Sequence, residues 1–102
     1  MTFEMWGHIF EGAFLLPNDL EPRPGIYMIW CRSGKNWRVI DVGQSADVRD
    51  RVALHDRVGC WERNCNGAIL YSATYTPGIL QAGRIRIEQQ IRTAANPPCG
   101  EN

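Results

Sequence analysis

Residues 25–42 constrain the chain more than any other stretch. GIYMIWC at 25–31 and WRVIDV at 37–42 are dense in β-branched and aromatic side chains, with SGKN at 33–36 between them. Such side chains pack well on a pleated surface and lose rotamer freedom in a helix, so each run reads as a strand. The short connection holding Gly34 lets the two lie antiparallel as a hairpin, while Pro22 and Pro24 break the chain before it.

The neighbouring segments arrange themselves around that hairpin. Gly43 permits a sharp exit from the second strand. Ser45 is the expected N-cap, with Asp47 in the first turn, of a helix over about 46–58. Residues 60–67 read as a connector. AILYSATYT at 68–76 is a third strand, ended by Pro77-Gly78. A last helix over about 79–95 has Leu80, Ile87, Ile91 and Ala94 as its apolar stripe, and Asn96-Pro97-Pro98 stops it. Residues 1–20 carry Trp6, Phe10 and Phe14 without clean periodicity. They are expected to pack on the body as a strand or short helix, making 1–22 an extension and 23–102 the domain. The expected fold class is α/β of the α+β kind: a small three-stranded antiparallel sheet flanked by helices, in the order β-β-α-β-α.

At 102 residues the chain is one domain, and its 44% hydrophobic and 22% charged residues are ordinary for a soluble globular protein. No apolar run approaches the roughly 20 residues needed to span a bilayer. MTFEMWGHIF lacks the basic start and apolar stretch of a secretory signal, so a soluble, cytoplasmic protein is expected. In that setting Cys31, Cys60, Cys65 and Cys99 are expected as reduced thiols rather than disulfides. His55, Cys60 and Cys65 are five apart, wider than the usual gap between zinc ligands. The formal net charge is zero, but residues 1–22 hold four acidic and no basic residues. The body therefore carries a surplus of four positive charges, weakly suited to a polyanion.

Four residues stand out. Arg51 and His55 are four apart on the expected first helix, beside Val48 and Val52, where an unpaired charge would be costly. Glu88 lies at the edge of the last helix's stripe. Tyr27 lies in the first strand. Singly, each has an ordinary reading: a surface pair of Arg51 with Asp47, a structural histidine, a pair of Glu88 with Arg84 or Arg92, a strand aromatic. Together, a carboxylate, an arginine, a histidine and a tyrosine suit phosphodiester hydrolysis. A carboxylate can hold a largely hydrated Mg²⁺, an arginine can neutralise phosphate charge, and a tyrosine or histidine can take a proton from water.

Gly25-Ile26-Tyr27, then Val42-Gly43-Gln44-Ser45, then Val48, Arg51 and His55, and later Glu88 and Pro97-Pro98, together resemble the GIY-YIG nuclease domain over roughly 23–100. The resemblance implies a Mg²⁺- or Mn²⁺-dependent endonuclease cutting DNA. Tyr27 would be the general base, Glu88 the metal ligand, Arg51 the phosphate-stabilising arginine and His55 its companion. Gly43, Gln44 and Ser45 would lie against the substrate, with Arg49 and Lys35, alongside Arg57 and Arg63, as phosphate contacts outside the centre. The family usually takes target specificity from a separate domain, which implies a poorly selective nuclease, a structure-specific one, or one that depends on a protein partner or dimerisation.

Two positions depart from the pattern. Asp41 replaces the second motif's tyrosine. Roughly opposite Tyr27, its carboxylate is open to three roles: proton acceptor from Tyr27, repellent of phosphate, or water-mediated metal contact. Gly100 stands where the family commonly has a bracing asparagine, with Asn102 as a substitute. The alternative function is an inert module of this type that binds nucleic acid or a protein. Trp30, Trp37 and Trp61 are expected around the sheet, with base stacking as their other reading.

Overall fold

The computed structural model describes residues 1–100. Its elements are β1 (Thr2–Met5), β2 (His8–Phe14), a single 3-10 turn (Pro17–Asp19), β3 (Gly25–Ser33), β4 (Asn36–Ser45), α1 (Val48–Ala53), α2 (Val58–Arg63), β5 (Ala68–Tyr75) and α3 (Gln81–Ala95). The strands form one five-stranded sheet in the order β1-β2-β5-β3-β4, antiparallel at each pairing.

The class is α+β, but the expected three-stranded sheet is incorrect. The three strands foreseen lie side by side as β5-β3-β4, and the N-terminal residues add two more at the β5 edge. The hairpin between β1 and β2 closes on Trp6-Gly7, both with positive φ (51° and 79°), a two-residue loop suited to the twist of the strands it joins. Tryptophan in that conformation is uncommon, which hides the turn from a reading of the sequence. Pairing β2 with β5 satisfies backbone groups that a three-stranded sheet would leave open, and it buries Phe10 completely.

The helices also depart from expectation. The span over 46–58 divides into α1 and α2, and the first half of the expected connector over 60–67 is helical, with Trp61 drawn into the core. Asp47, not Ser45, caps α1 by accepting from the Asp50 N–H at 3.0 Å. Ser45 instead closes a local turn with the backbone of Asp47. On α3, Leu80 and Ala94 are exposed, while Arg84, Ile91 and Arg92 are buried. The inward face mixes Ile91 with arginines because α3 lies along β4, the sheet's other edge, whose polar groups need donors. Arg84 donates to the Gln44 side chain and Arg92 to the Val42 carbonyl. Covering the edge in this way also blocks pairing with another chain.

Each face of the sheet has its own core. Tyr27, Ile29, Ile40 and Ala73 pack with Val48, Val52 and Trp61 from α1 and α2. Ile26, Met28, Trp30, Val42 and Leu70 pack with Phe10 and with Ile91 of α3. Contrary to the expectation of free thiols, all four cysteines are bonded, Cys31 to Cys65 and Cys60 to Cys99. The first ties β3 to the segment before β5, and the second ties α2 to the chain after α3. The expectation failed because pairing is decided by Cα positions, here 5.4 and 5.9 Å apart, which sequence separations of 34 and 39 do not reveal.

Candidate active site

Tyr27 is central. It lies on β3, between β5 and β4, is 1% exposed, and pairs across the hairpin with Gly43. Its ring crosses directly over that glycine. A Cβ there would lie 2.7 Å from the ring's Cε2 and closer still to Cζ and the hydroxyl. Gly43 therefore leaves room for a tyrosine side chain, rather than approaching substrate itself.

The Tyr27 hydroxyl lies 2.6 Å from His55 Nε2. α1 ends at Ala53, so His55 does not share a helical face with Arg51 as expected. It sits on the connection to α2, with its ring turned inward between Tyr27 and Trp61. The protons on this pair can be placed. The Arg57 backbone N–H donates to His55 Nδ1 at 3.0 Å, so Nδ1 carries no proton and the neutral ring holds its proton on Nε2. His55 thus donates to the Tyr27 oxygen. Burial, then the charges of Arg51 and Arg57, push its pKa down to about 4 and keep it neutral at physiological pH. Burial pushes the Tyr27 hydroxyl up to about 12, against the opposing pull of Arg57 and Arg51.

Asp41 does not face Tyr27 across the hairpin. It pairs with Ile29, one pleat further along. Two of the roles considered for it, proton acceptor and metal contact, give way to another. Fully buried, it accepts from Arg57 Nε (2.8 Å) and Nη2 (3.2 Å), Trp61 Nε1 (2.7 Å), the Val42 N–H (2.8 Å) and Arg92 Nη2. With so many donors it has no capacity left to take a proton from Tyr27 or to reach a metal. It is the anchor of two arginines.

Arg92 also explains Gly100. The guanidinium donates to the Cys99 carbonyl and packs against Gly100, where a Cβ would fall within 2.8 Å of Nη1 and nearer to Nη2. Gly100 has a φ of +85°, a conformation in which glycine is unstrained. The space beside this position is filled by an arginine reaching in from α3. Asn102 lies outside the described residues.

Glu88 and Arg57 line one side-by-side cleft with Asp56, Arg92 and Gly100, about 360 Å³ in volume. The neighbouring arginines on α3 do not pair with Glu88: Arg84 is bound to Gln44 and Arg92 to Asp41. Among the described residues no cation lies within ion-pair distance of its carboxylate. Burial raises its pKa, with Arg92, Arg57 and the Gln44 backbone acting in the opposite direction. Arg51 remains at the surface, bound to Asp56 at 3.3 Å. The charges of Arg57, Asp41, Arg51 and Glu88 all act on the Tyr27 hydroxyl.

The remaining candidates are placed less centrally. Gln44 and Ser45 are engaged with Arg84 and with the turn before α1. Arg49 is exposed on α1. Lys35 is exposed in the turn of the β3–β4 hairpin, beyond the end of β3 at Ser33, which is itself about 20 Å along the strand from Tyr27. Trp61 and Trp30 are buried and Trp37 is half exposed. The sequence reading missed Arg92 as a structural cation and understated Arg57. The available signal was Asp41 itself, since a carboxylate in a strand of core residues requires a cation.

A divalent ion fits Glu88 in one respect: a half-buried carboxylate without a paired cation gains from one. Among the described residues no group of three or more His, Cys, Asp or Glu converges on a point. A Mg²⁺ held here would rely on water and phosphate for its other ligands, which suits its reluctance to dehydrate. Comparison with protein-family models, curated proteins and solved structures found no match. What the cluster can do follows from its own side chains.

Proposed function

We propose that the protein is a divalent-metal-dependent endonuclease acting on DNA phosphodiester bonds. The supporting observation is the 2.6 Å contact of His55 with the buried Tyr27 hydroxyl, for which Gly43 makes the space, at a hydroxyl on which the charges of Arg51 and Glu88 also act. Tyr27, once ionised, takes a proton from the attacking water. His55 supports that form by donating to the same oxygen, and nearby arginines favour it electrostatically. Arg51 exchanges its exposed partner Asp56 for phosphate at little cost, because such surface pairs are weak. Glu88 would hold Mg²⁺ or Mn²⁺, which supplies Lewis-acid charge to the phosphate when bound.

A second reading is a catalytically inert nucleic-acid- or protein-binding module. It is favoured by Asp41, which stands where the motif has a tyrosine and is wholly engaged in holding arginines. Specificity in either case would come from a protein partner or a second copy. Among the described residues no helix is long and apolar enough to cross a membrane. The two disulfides favour an oxidising compartment over the cytoplasm.

Nicking of supercoiled plasmid separates the two readings. Mg²⁺- or Mn²⁺-dependent nicking by the wild type, lost in Glu88→Ala and Tyr27→Phe, is expected. No nicking by folded wild type on plasmid, branched or single-stranded DNA would overturn the enzyme in favour of the module.

A further inference from the structure

Two arginines near the Tyr27 hydroxyl differ in how they are held. Arg51 reaches a single exposed oxygen of Asp56, whose side chain is 76% exposed, and it does not line the cleft that Glu88 borders. Arg57 does line that cleft. Its Nε and Nη2 are gripped side-on by Asp41, a carboxylate with no exposed surface. Asp41 is itself fixed by Trp61, Arg92 and the Val42 N–H. This grip leaves Arg57 Nη1 with no hydrogen bond to any described residue, while the side chain as a whole is 30% exposed.

We propose that Arg57, clamped by Asp41, is the cation of this cleft that contacts a phosphate group, with Arg51 in an outer, supporting position. The inference rests on the phosphodiester reading above and names the group that meets the substrate. A guanidinium presents its donors in a rigid fork, and fixing one side of the fork aims the other. Donors held in place before the charge arrives avoid reorganisation when it does, which is where such groups gain their effect. Arg51 leaves Asp56 readily but has no such clamp, so on meeting phosphate it loses the freedom of a surface side chain. Asp41 is on this view a positioning residue, acting only through Arg57, at the position where the motif it resembles has a tyrosine. Of the charges around Tyr27, Arg57 is also the one that most favours its ionised form. One guanidinium thus serves both the phosphate and the base.

The test uses the full disulfide-bonded chain titrated with inorganic phosphate, following the arginine side-chain Nε–H signals by NMR. The expected result is a saturable shift of the Arg57 signal. Arg57→Ala should weaken phosphate binding about 10- to 100-fold, the loss expected for hydrogen bonds to a charged group. The fold should survive, since Asp41 keeps Arg92 and Trp61. Arg57→Lys, which retains charge but loses the fork, should recover only part of the binding. Arg51→Ala should change it by less than about threefold, as expected for an exposed charge, and Arg38→Ala, in a separate cleft, not at all. Unchanged binding in Arg57→Ala, larger loss in Arg51→Ala, or full recovery in Arg57→Lys would each overturn the proposal. So would the absence of any phosphate-dependent shift at Arg57, whether or not plasmid is nicked. A wild type that binds phosphate at Arg57 yet never nicks DNA would refute hydrolysis and leave this assignment standing.

Discussion

Gly43→Ala tests the architecture of the site most directly. The backbone here is ordinary strand with no positive φ, so alanine adds no torsional strain of its own. The cost arises from the new methyl, which would sit 2.7 Å from Tyr27 Cε2 and closer to Cζ and the hydroxyl. Tyr27 cannot swing aside, because it is 1% exposed and its ring abuts His55. Overpacking of a tight core costs about 1–3 kcal/mol. Displacing the ring also breaks the 2.6 Å contact to His55, which adds about 1 kcal/mol. The total, about 2–4 kcal/mol, corresponds to a fall of about 10–25 °C in Tm for a domain of this size. Calorimetry of the oxidised protein reads this, and Tyr27→Phe/Gly43→Ala supplies the control. Removing the hydroxyl leaves Cζ and Cε2 in place, so the double variant should remain destabilised relative to Tyr27→Phe by more than about 1 kcal/mol, the low end of the overpacking cost. A Tm for Gly43→Ala within 2 °C of wild type, where the relation above expects a fall of at least about 10 °C, would refute the argument that Gly43 exists to admit the tyrosine ring.

Asp41→Ala should cost about 3–5 kcal/mol in urea unfolding, because it leaves the nearly buried Arg92 without its carboxylate. Asp41→Tyr, the change that would restore the motif's residue, should be at least as harmful rather than reactivating. Opening the Cys60–Cys99 bond by a double serine substitution should cost about 4 kcal/mol by the chain-entropy estimate for a closed loop of this separation. A cost under 1 kcal/mol would mean that the C-terminal segment is held by Arg92 and its neighbours alone. Because His55 titrates near 4 in the fold, below its ordinary value of 6.5, the unfolded chain binds its proton first as pH falls. Stability from this group is therefore whole above about pH 6.5 and declines toward pH 4, with a slope of at most about 1.4 kcal/mol per pH unit. His55→Gln should flatten that limb of a denaturation-versus-pH curve.

The hairpin of β3 and β4, the third strand and the long last helix were legible in the sequence, because β-rich runs, turn glycines and paired prolines act over a few neighbouring residues. Tyr27, Arg51, His55 and Glu88 could be singled out as residue types in a pattern, although the helical face expected to join Arg51 and His55 ends at Ala53. The five-stranded sheet was not legible. It depends on residues 8–14 meeting residues 68–75 across the chain, and its hairpin turns on a tryptophan in a conformation that tryptophan rarely adopts.

Local patterning by itself determined the β3–β4 hairpin, the strand after it and the last helix, and which polar side chains stand where apolar ones belong. Only the tertiary structure decided what those polar residues do. Asp41 was assigned to Tyr27 by a hairpin count, yet a register shift between Ile29 and Trp30 and the approach of α3 to the sheet edge give it to Arg57 and Arg92 instead. The cysteines pair because folding brings their Cα atoms within 6 Å, and Gly100 is small because an arginine eight residues earlier turns back onto it. A buried charge is satisfied by whatever donors the fold brings within about 3 Å. That distance is set by packing between elements far apart in the chain, so no local pattern could have named the partners.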